Sequence, residues 1–360
     1  MVDRLDEHVQ HLLQQKAVSD NLRQLSAPLP IDFSSNDYLG LAREALTLSE
    51  APSGSGSSRL IYGNHSALEV TEEFLAGHYG SREAILFHSG YHANLALFSA
   101  LGTAGVTIFY DEFIHASIRD GLFLGRARSR SFRHNDSNYL EAQLLKTEGP
   151  TVVVTEGLFS MDGDFGALAD LFELKKKYHF SLIVDEAHTT GWIGAHHRGA
   201  ADGVQFNDVD VRIHTFGKAM GGSGACIATL IPLRSLLANV SRPFIYTTAP
   251  SPQFCSEVEA LHHRASSADK QRSALHNVLQ IFNSLTASNP LIGGDHHSPI
   301  RYFQAHDIHS LNQTAQLLAS AGIDARLIRQ PSVPAGQERI RICLHAFNTE
   351  KELRALVNCL

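Results

Sequence analysis

The sequence predicts an α/β fold: a large, mainly parallel sheet covered by helices on both faces, with a smaller α+β C-terminal domain. Three observations carry this. Short apolar runs at residues 84–87, 106–110, 152–156 and 181–185 are hydrophobic at nearly every position, as in strands buried on both faces. These runs alternate with helical periodicities at 92–101, 116–124 and 168–178, the order that builds a covered parallel sheet. The texture then changes near residue 240, where Pro243, Pro250 and Pro252 mark a junction.

Element by element, residues 3–25 read as an amphipathic helix, because Leu5, Val9, Leu12 and Leu13 recur at three-to-four spacing. Residues 31–33 read as a short strand running into a polar turn. The Ser/Gly stretch 53–59 reads as a loop within a domain, because a helical run at 67–78 follows closely. Beyond the junction, residues 253–288 read as one long helix. Short strands at 300–303 and 339–344 alternate with helices at 310–321 and 351–359. The expected organisation is an N-terminal helix and segment (1–45), a large α/β domain (46–240) and a small α+β domain (241–360).

Composition bounds the function. The chain has 360 residues, 43% hydrophobic and 19% charged, with a formal net charge of −7. That is ample for a large core, and it favours neither nucleic acid nor an anionic membrane as partner. The N-terminus lacks an apolar signal core, and no run approaches the roughly 18 apolar residues of a membrane span. Cys226, Cys255, Cys343 and Cys359 are scattered, with no CxxC pair, as expected of free thiols in a reducing compartment. A cytoplasmic protein is expected. The 21 histidines include three adjacent pairs and no HExxH; neighbours point apart, so no metal site is expected.

The chemistry centres on His214-Thr215-Phe216-Gly217-Lys218-Ala219-Met220-Gly221-Gly222. Glycines let the backbone turn and a flat ligand approach closely. A lysine buried there loses part of its preference for the charged form, and a neutral amine forms a Schiff base with an aldehyde such as pyridoxal phosphate (PLP). Taken alone, the stretch reads equally well as a surface turn with a solvated lysine.

What precedes it decides between these readings. Ligands of α/β sheets bind beyond the carboxyl ends of strands, and Ser89-Gly90-Tyr91, His115, Glu156, Asp185 and His188 all fall at such ends. Asp185 lies 33 residues before Lys218, about one strand–helix–strand unit. A carboxylate there can keep a pyridine nitrogen protonated, which makes the ring a better electron sink. Val184-Asp185-Glu186-Ala187-His188 is also the acidic box of DEAH-type NTPases. That reading needs an upstream GxxxxGK[ST] loop; the one Gly-Lys pair, Gly217-Lys218, follows the box and is succeeded by Ala219.

Several segments resemble the α-oxoamine synthases, PLP enzymes of fold type I. They are residues 35–41 (SNDYLGL), 89–91 (SGY), 115–117 (HAS), 155–164 (TEGLFSMDGD), 185–188 (DEAH) and 215–218 (TFGK). The resemblance implies that Lys218 carries PLP, Asp185 binds the pyridinium, His188 the phenolic oxygen, and that His115 stacks on the ring. It implies a phosphate site at Gly90, Tyr91 and Thr215, joined by Thr247 or Thr248 of a second subunit, and hence a homodimer. Ser160 falls at the ring's edge, Arg341 binds the amino-acid carboxylate, and Asn36 and Ser332 line the substrate site. Arg23 matches an acyl-substrate arginine with unfamiliar spacing. Thr189 stands where the family usually has glycine. The proline-rich 329–336 segment resembles that of members condensing L-alanine with a pimeloyl thioester, on CoA or acyl carrier protein, in biotin biosynthesis. Glycine C-acetyltransferase runs the same chemistry on glycine and acetyl-CoA.

Overall fold

The computed structural model describes residues 4–18, 22–23, 25–48, 50–202 and 209–360. The chain begins with α1 (Arg4–Val18), whose Leu5, Val9, Leu12 and Leu13 are all exposed. Of the expected helix over 3–25, Arg4–Val18 is helical and Leu22 and Arg23 are not; residues 3, 19–21 and 24 of that span lie outside the described residues. Then follow β1 (Ile31–Asp32), α2 (Ser66–Tyr79), β2 (Glu83–Phe87), α3 (Gly90–Thr103), β3 (Thr107–Asp111), α4 (Ala116–Leu124), β4 (Arg128–Phe132) and α5 (Ser137–Leu144). Next come β5 (Thr151–Glu156), α6 (Leu168–Tyr178), β6 (Ser181–Asp185), β7 (Val211–Thr215), β8 (Ala225–Thr229), α7 (Leu233–Val240) and α8 (Arg242–Ile245). The remainder is α9 (Pro252–Ser266), α10 (Asp269–Thr286), β9 (Ile292–Gly293), β10 (Ile300–Phe303), α11 (Ile308–Ser320), β11 (Ile323–Asp324), β12 (Arg326–Ile328), β13 (Arg339–Cys343) and α12 (Glu350–Val357).

Seven strands form the main sheet in the order β2-β8-β7-β6-β5-β3-β4. Only β8 runs against its neighbours; every other pairing is parallel. Both faces are covered, and the strands divide their side chains between them with period two. Val152, Val154 and Ile183 join the core under α3, α4 and α7. Val153, Leu182 and Val184 join the core under α5 and α6. This explains why these strands read as unbroken apolar runs.

The expected single helix over 253–288 is two helices. The chain turns at Ser267 and Ala268, whose N–H groups bond back to Arg264 and Ala265. The break returns α10 to pack on α12. A second sheet, β12-β13-β10-β9, lies in this half. The N-terminal segment is tied to it: β1 pairs in parallel with β11, and Cys343 N–H donates to the Phe33 carbonyl at 2.8 Å. The Ser/Gly loop is fixed by its backbone, with Ala249 N–H donating to Ser57 O at 3.0 Å. Among the described residues no helix is long and apolar enough to cross a membrane.

Behind the sheet lies a cluster of neutral histidines. His214 stacks on Tyr79 at 3.7 Å, and the Tyr79 hydroxyl lies 3.0 Å from His262 Nε2. Burial pushes His78 down to about 4 and His262 to about 3, and His214 well below its usual value. In the unfolded chain these groups take up protons near pH 6.5. The folded protein refuses them at His78 and His262 until pH 3–4, so stability falls as pH drops from about 6.5 toward that range. The expected slope steepens below pH 6.5 by about 1.4 kcal/mol per pH unit for each unmatched proton. Denaturation midpoints measured from pH 7.5 to 4.5 test this, and His262→Gln should flatten the curve.

Candidate active site

Since β2, β3, β5, β6 and β7 run in one direction, the residues beyond their carboxyl ends meet at one edge of the sheet. They enclose a cavity of about 390 Å³. Asn36, Gly90, Tyr91, His115, Glu156, Asp185, His188, Thr215 and Lys218, all singled out from the sequence, line it together. Two more stand behind Asn36. Arg341 Nε donates to the Ser160 carbonyl at 2.6 Å, and its Nη2 donates to Asn36 Oδ1 at 2.9 Å. Thr247 and Thr248 lie outside the cavity, in a smaller recess that shares His88 with it. Arg23 and Ser332 are also outside, yet meet each other at 3.5 Å across 309 residues of sequence.

The Lys218 amine has no hydrogen bond or ion pair among the described residues. Burial lowers it to about 8, against the opposing pull of Asp185 and Glu156. The same burial holds His188 well below its usual value, with Lys218 and Arg341 adding to the effect, and lowers His115. Glu156 is raised well above the carboxylate range by burial first and by Asp185 second.

Asp185 is held at both oxygens. Oδ1 accepts from Ala187 N–H and Oδ2 from Asn94 Nδ2, both at 2.9 Å. Asn94 Nδ2 also donates to Ser117 Oγ at 3.0 Å, while Ser117 Oγ lies 2.7 Å from His115 Nδ1. His115 N–H donates to Glu156 Oε1 at 2.6 Å. His188 Nδ1 meets the fully buried Tyr38 hydroxyl at 2.7 Å, and the carbonyl of His188 accepts from the indole of Trp192, the only tryptophan.

Asn94, Ser117 and Tyr38 are functional positions that sequence reasoning did not assign. One signal was available for Asn94: it is a polar side chain on an otherwise apolar helix face, between buried Ala93 and Ala96. Two expected phosphate ligands have their hydroxyls engaged: Tyr91 pairs with Asp120, and Thr215 donates to Ala187 O at 3.2 Å. Thr189, in the usual glycine's place, donates to the buried Glu186 carboxylate.

A family model of class I and II aminotransferases matches residues 29–360. The chain belongs to the class I and II aminotransferase family. An 8-amino-7-oxononanoate synthase of Marinobacter nauticus is 36% identical over 339 residues, covering 92% of this chain and 86% of that protein. The crystal structure of an 8-amino-7-oxononanoate synthase from Francisella tularensis matches with a TM-score of 0.78 at 29% identity, covering 91% of this chain and 96% of that one. Serine palmitoyltransferase from Sphingomonas wittichii matches with a TM-score of 0.88 at 26% identity, covering 99% and 97%.

With these relatives inside this family, the chain is a PLP-dependent acyltransferase, with an amino acid and an acyl thioester as its substrate classes. The cavity fits PLP. It offers an unpaired amine at Lys218, a fixed carboxylate at Asp185, an imidazole at His115 and a helix N-terminus at Gly90. Asn94 Oδ1 is buried there without a partner. A Cβ on Gly90 would come within 2.5 Å of Thr215 Cγ2, so only glycine lets the start of α3 sit this close to the end of β7.

Tyr38→Phe should leave His188 Nδ1 buried without a partner. The expected cost is about 1–3 kcal/mol of stability, read by chemical denaturation of the protein with and without PLP.

Proposed function

We propose that the enzyme condenses L-alanine with a pimeloyl thioester, on CoA or acyl carrier protein, giving 8-amino-7-oxononanoate, CO2 and the free thiol in biotin biosynthesis. The observation that carries this is the unpaired Lys218 amine in one cavity with Asp185, His188 and Asn36, with Arg341 bonded to Asn36 behind it. It occurs in a chain 36% identical to a synthase of that name over nearly its whole length.

When bound, PLP supplies an electron sink for charge developing at the amino acid Cα. Asp185, fixed by its two N–H donors, would face the ring nitrogen and keep it protonated, and His115 would pack against the ring. His188, neutral and backed by Tyr38, faces the phenolic oxygen. The start of α3 at Gly90, with Tyr91 and Thr215, binds the phosphate through N–H groups at a helix N-terminus. Lys218 takes the Cα proton and later returns one; an amine with its pKa near 8 can do both at neutral pH. Arg341 would hold the substrate carboxylate beside Asn36 and Ser160, where its planar fork would fix the orientation of the amino acid. Arg23 and Ser332 receive the acyl chain from the outer side.

The active form is a homodimer in which Thr247 or Thr248 of a second copy reaches the phosphate. Exposed apolar side chains next to these threonines support this: Leu60, Ile61, Tyr62 and Tyr246 are 53–81% exposed, and the Ser58–Thr248 bridge brings them together.

Lys218→Ala should abolish turnover, a loss of at least a thousandfold, with the denaturation midpoint preserved. Borohydride reduction followed by peptide mapping should label Lys218; a label on another lysine overturns the assignment. Arg341→Lys keeps the charge and loses the fork, so it should raise the alanine KM about tenfold and lower kcat as well. A change confined to the thioester KM would assign Arg341 to the other substrate. Assays of alanine and glycine against pimeloyl- and acetyl-CoA test the reaction itself, with alanine and pimeloyl-CoA expected to give the highest kcat/KM.

A further inference from the structure

The loop after β5 supplies the carbonyl that Arg341 bonds, and a histidine from elsewhere holds that loop. His134 follows β4. Its Nδ1 lies 2.9 Å from Asp111 Oδ1 at the end of β3, and its Nε2 lies 2.8 Å from Asp164 Oδ2 in the loop. A neutral imidazole has one N–H and can serve only one of these carboxylates; serving both requires the cation. The ring lies against Phe113 on one side (4.6 Å, 28°) and the edge of Phe159 on another (4.5 Å, 88°). The two carboxylates outweigh burial and raise His134 to about 10, so it stays charged at neutral pH.

The loop closes on itself. Phe159 N–H donates to Asp164 O at 2.9 Å, and Gly163 N–H donates to Phe159 O at 3.0 Å. Within that turn the Ser160 carbonyl meets Arg341 Nε at 2.6 Å, and Asp162 pairs with Arg339 Nη1 at 2.7 Å. Arg339 and Arg341, two residues apart on β13, point to the same side of their sheet. The turn is therefore held at both ends, by His134 from the main sheet and by two arginines from the second sheet.

We propose that His134 is a positioning residue for the amino-acid carboxylate: it fixes the 159–164 turn, which in turn sets the orientation of the Arg341 guanidinium. This rests on the function proposed above only in assigning Arg341 to the amino acid. Neither Asp111 nor Asp164 lines the cavity, so His134 bears on the Arg341 guanidinium through the turn.

His134→Gln keeps a donor but cannot bridge two carboxylates. It should raise the alanine KM about tenfold while leaving the pimeloyl-CoA KM within twofold. In an Arg341→Lys background, where the bond to Ser160 is already lost, the same substitution should raise the alanine KM by less than twofold, because coupled residues are non-additive. In the protein without cofactor, hydrogen exchange at the Phe159 and Gly163 amides should accelerate at least tenfold. If His134→Gln does not fold, Asp164→Asn, which breaks the same ion pair at a half-exposed carboxylate, should act in the same direction by about threefold. Two results would overturn the proposal: both KM values rising together, or the tenfold effect persisting in the Arg341→Lys background. A wild-type enzyme that prefers another amino acid counts against the proposed substrate and not against His134, since that amino acid's KM then serves as the readout.

Discussion

Two buried carboxylates stand side by side in this protein, and the site depends on how that conflict is resolved. Glu156 and Asp185 are paired positions at the ends of the adjacent parallel strands β5 and β6, so their side chains leave the sheet on the same side. Like charges so close and so dry cannot both ionise freely. The surroundings choose between them. Asp185 accepts two hydrogen bonds, from Asn94 and Ala187, whereas Glu156 accepts one at its side chain, from the His115 backbone. Glu156 is the one pushed toward its neutral form. The carboxylate fixed by two donors, Asp185, is the one that faces the ring nitrogen in the proposed reaction. A register slip of one residue between β5 and β6 would turn one carboxylate to the opposite face and undo this arrangement. The apolar runs 152–154 and 182–184 prevent such a slip, because each of their side chains already has a place in one of two cores.

The same physics explains what could be read from the sequence. Strands β3, β5 and β6 and helices α4 and α6 were legible because burial on both faces, or on one stripe, leaves a periodic record. Strand β4 was not: at the sheet's edge its Arg-Ser-Arg-Ser-Phe buries only Phe132. Strand β8 was hidden by small side chains, Ala225, Cys226 and Ala228, that follow a glycine-rich turn without contrast. The break between α9 and α10 carries no glycine or proline, only Ser267 and Ala268, so an amphipathic pattern runs through it unbroken.

In the site, Asp185, His188 and His115 were legible because each sits at or just beyond the end of a legible strand, and Lys218 because it stands among glycines. The residues that tune them were not. Tyr38 reaches His188 across 150 positions, and Asn94 reaches Asp185 across 91. No local pattern encodes such pairs; they exist only after the sheet has brought its ends together. Arg23 and Ser332 show the converse case. Both were expected near the substrate, and the fold joins them to each other but places them outside the cavity.

The cavity has walls of two mechanical kinds. One is the edge of the main sheet, with Glu156, Asp185, His188, Thr215 and Lys218. The other is built from the two ends of the chain at once. Cys343 N–H bonds Phe33 O, and Ala346 N–H bonds Tyr38 O, each at 2.8 Å; Arg341 bonds Asn36 directly. The N-terminal segment around Asn36 and Tyr38 is thus part of the same hydrogen-bonded unit as β13, although some 300 residues separate them in sequence. Among the described residues, three side-chain hydrogen bonds tie this unit across to the sheet edge near the cavity: Tyr38 to His188, Arg341 to the Ser160 carbonyl, and Arg339 to Asp162. Two of the three land on the turn that His134 holds. A displacement of the unit would therefore carry Asn36, Tyr38 and Arg341 together, and the turn at 159–164 is where that displacement would be resisted. In the proposed reaction the substrate carboxylate and the proton-transferring amine are held by different bodies, and the charged bridge between Asp111, His134 and Asp164 would set how firmly one is fixed against the other.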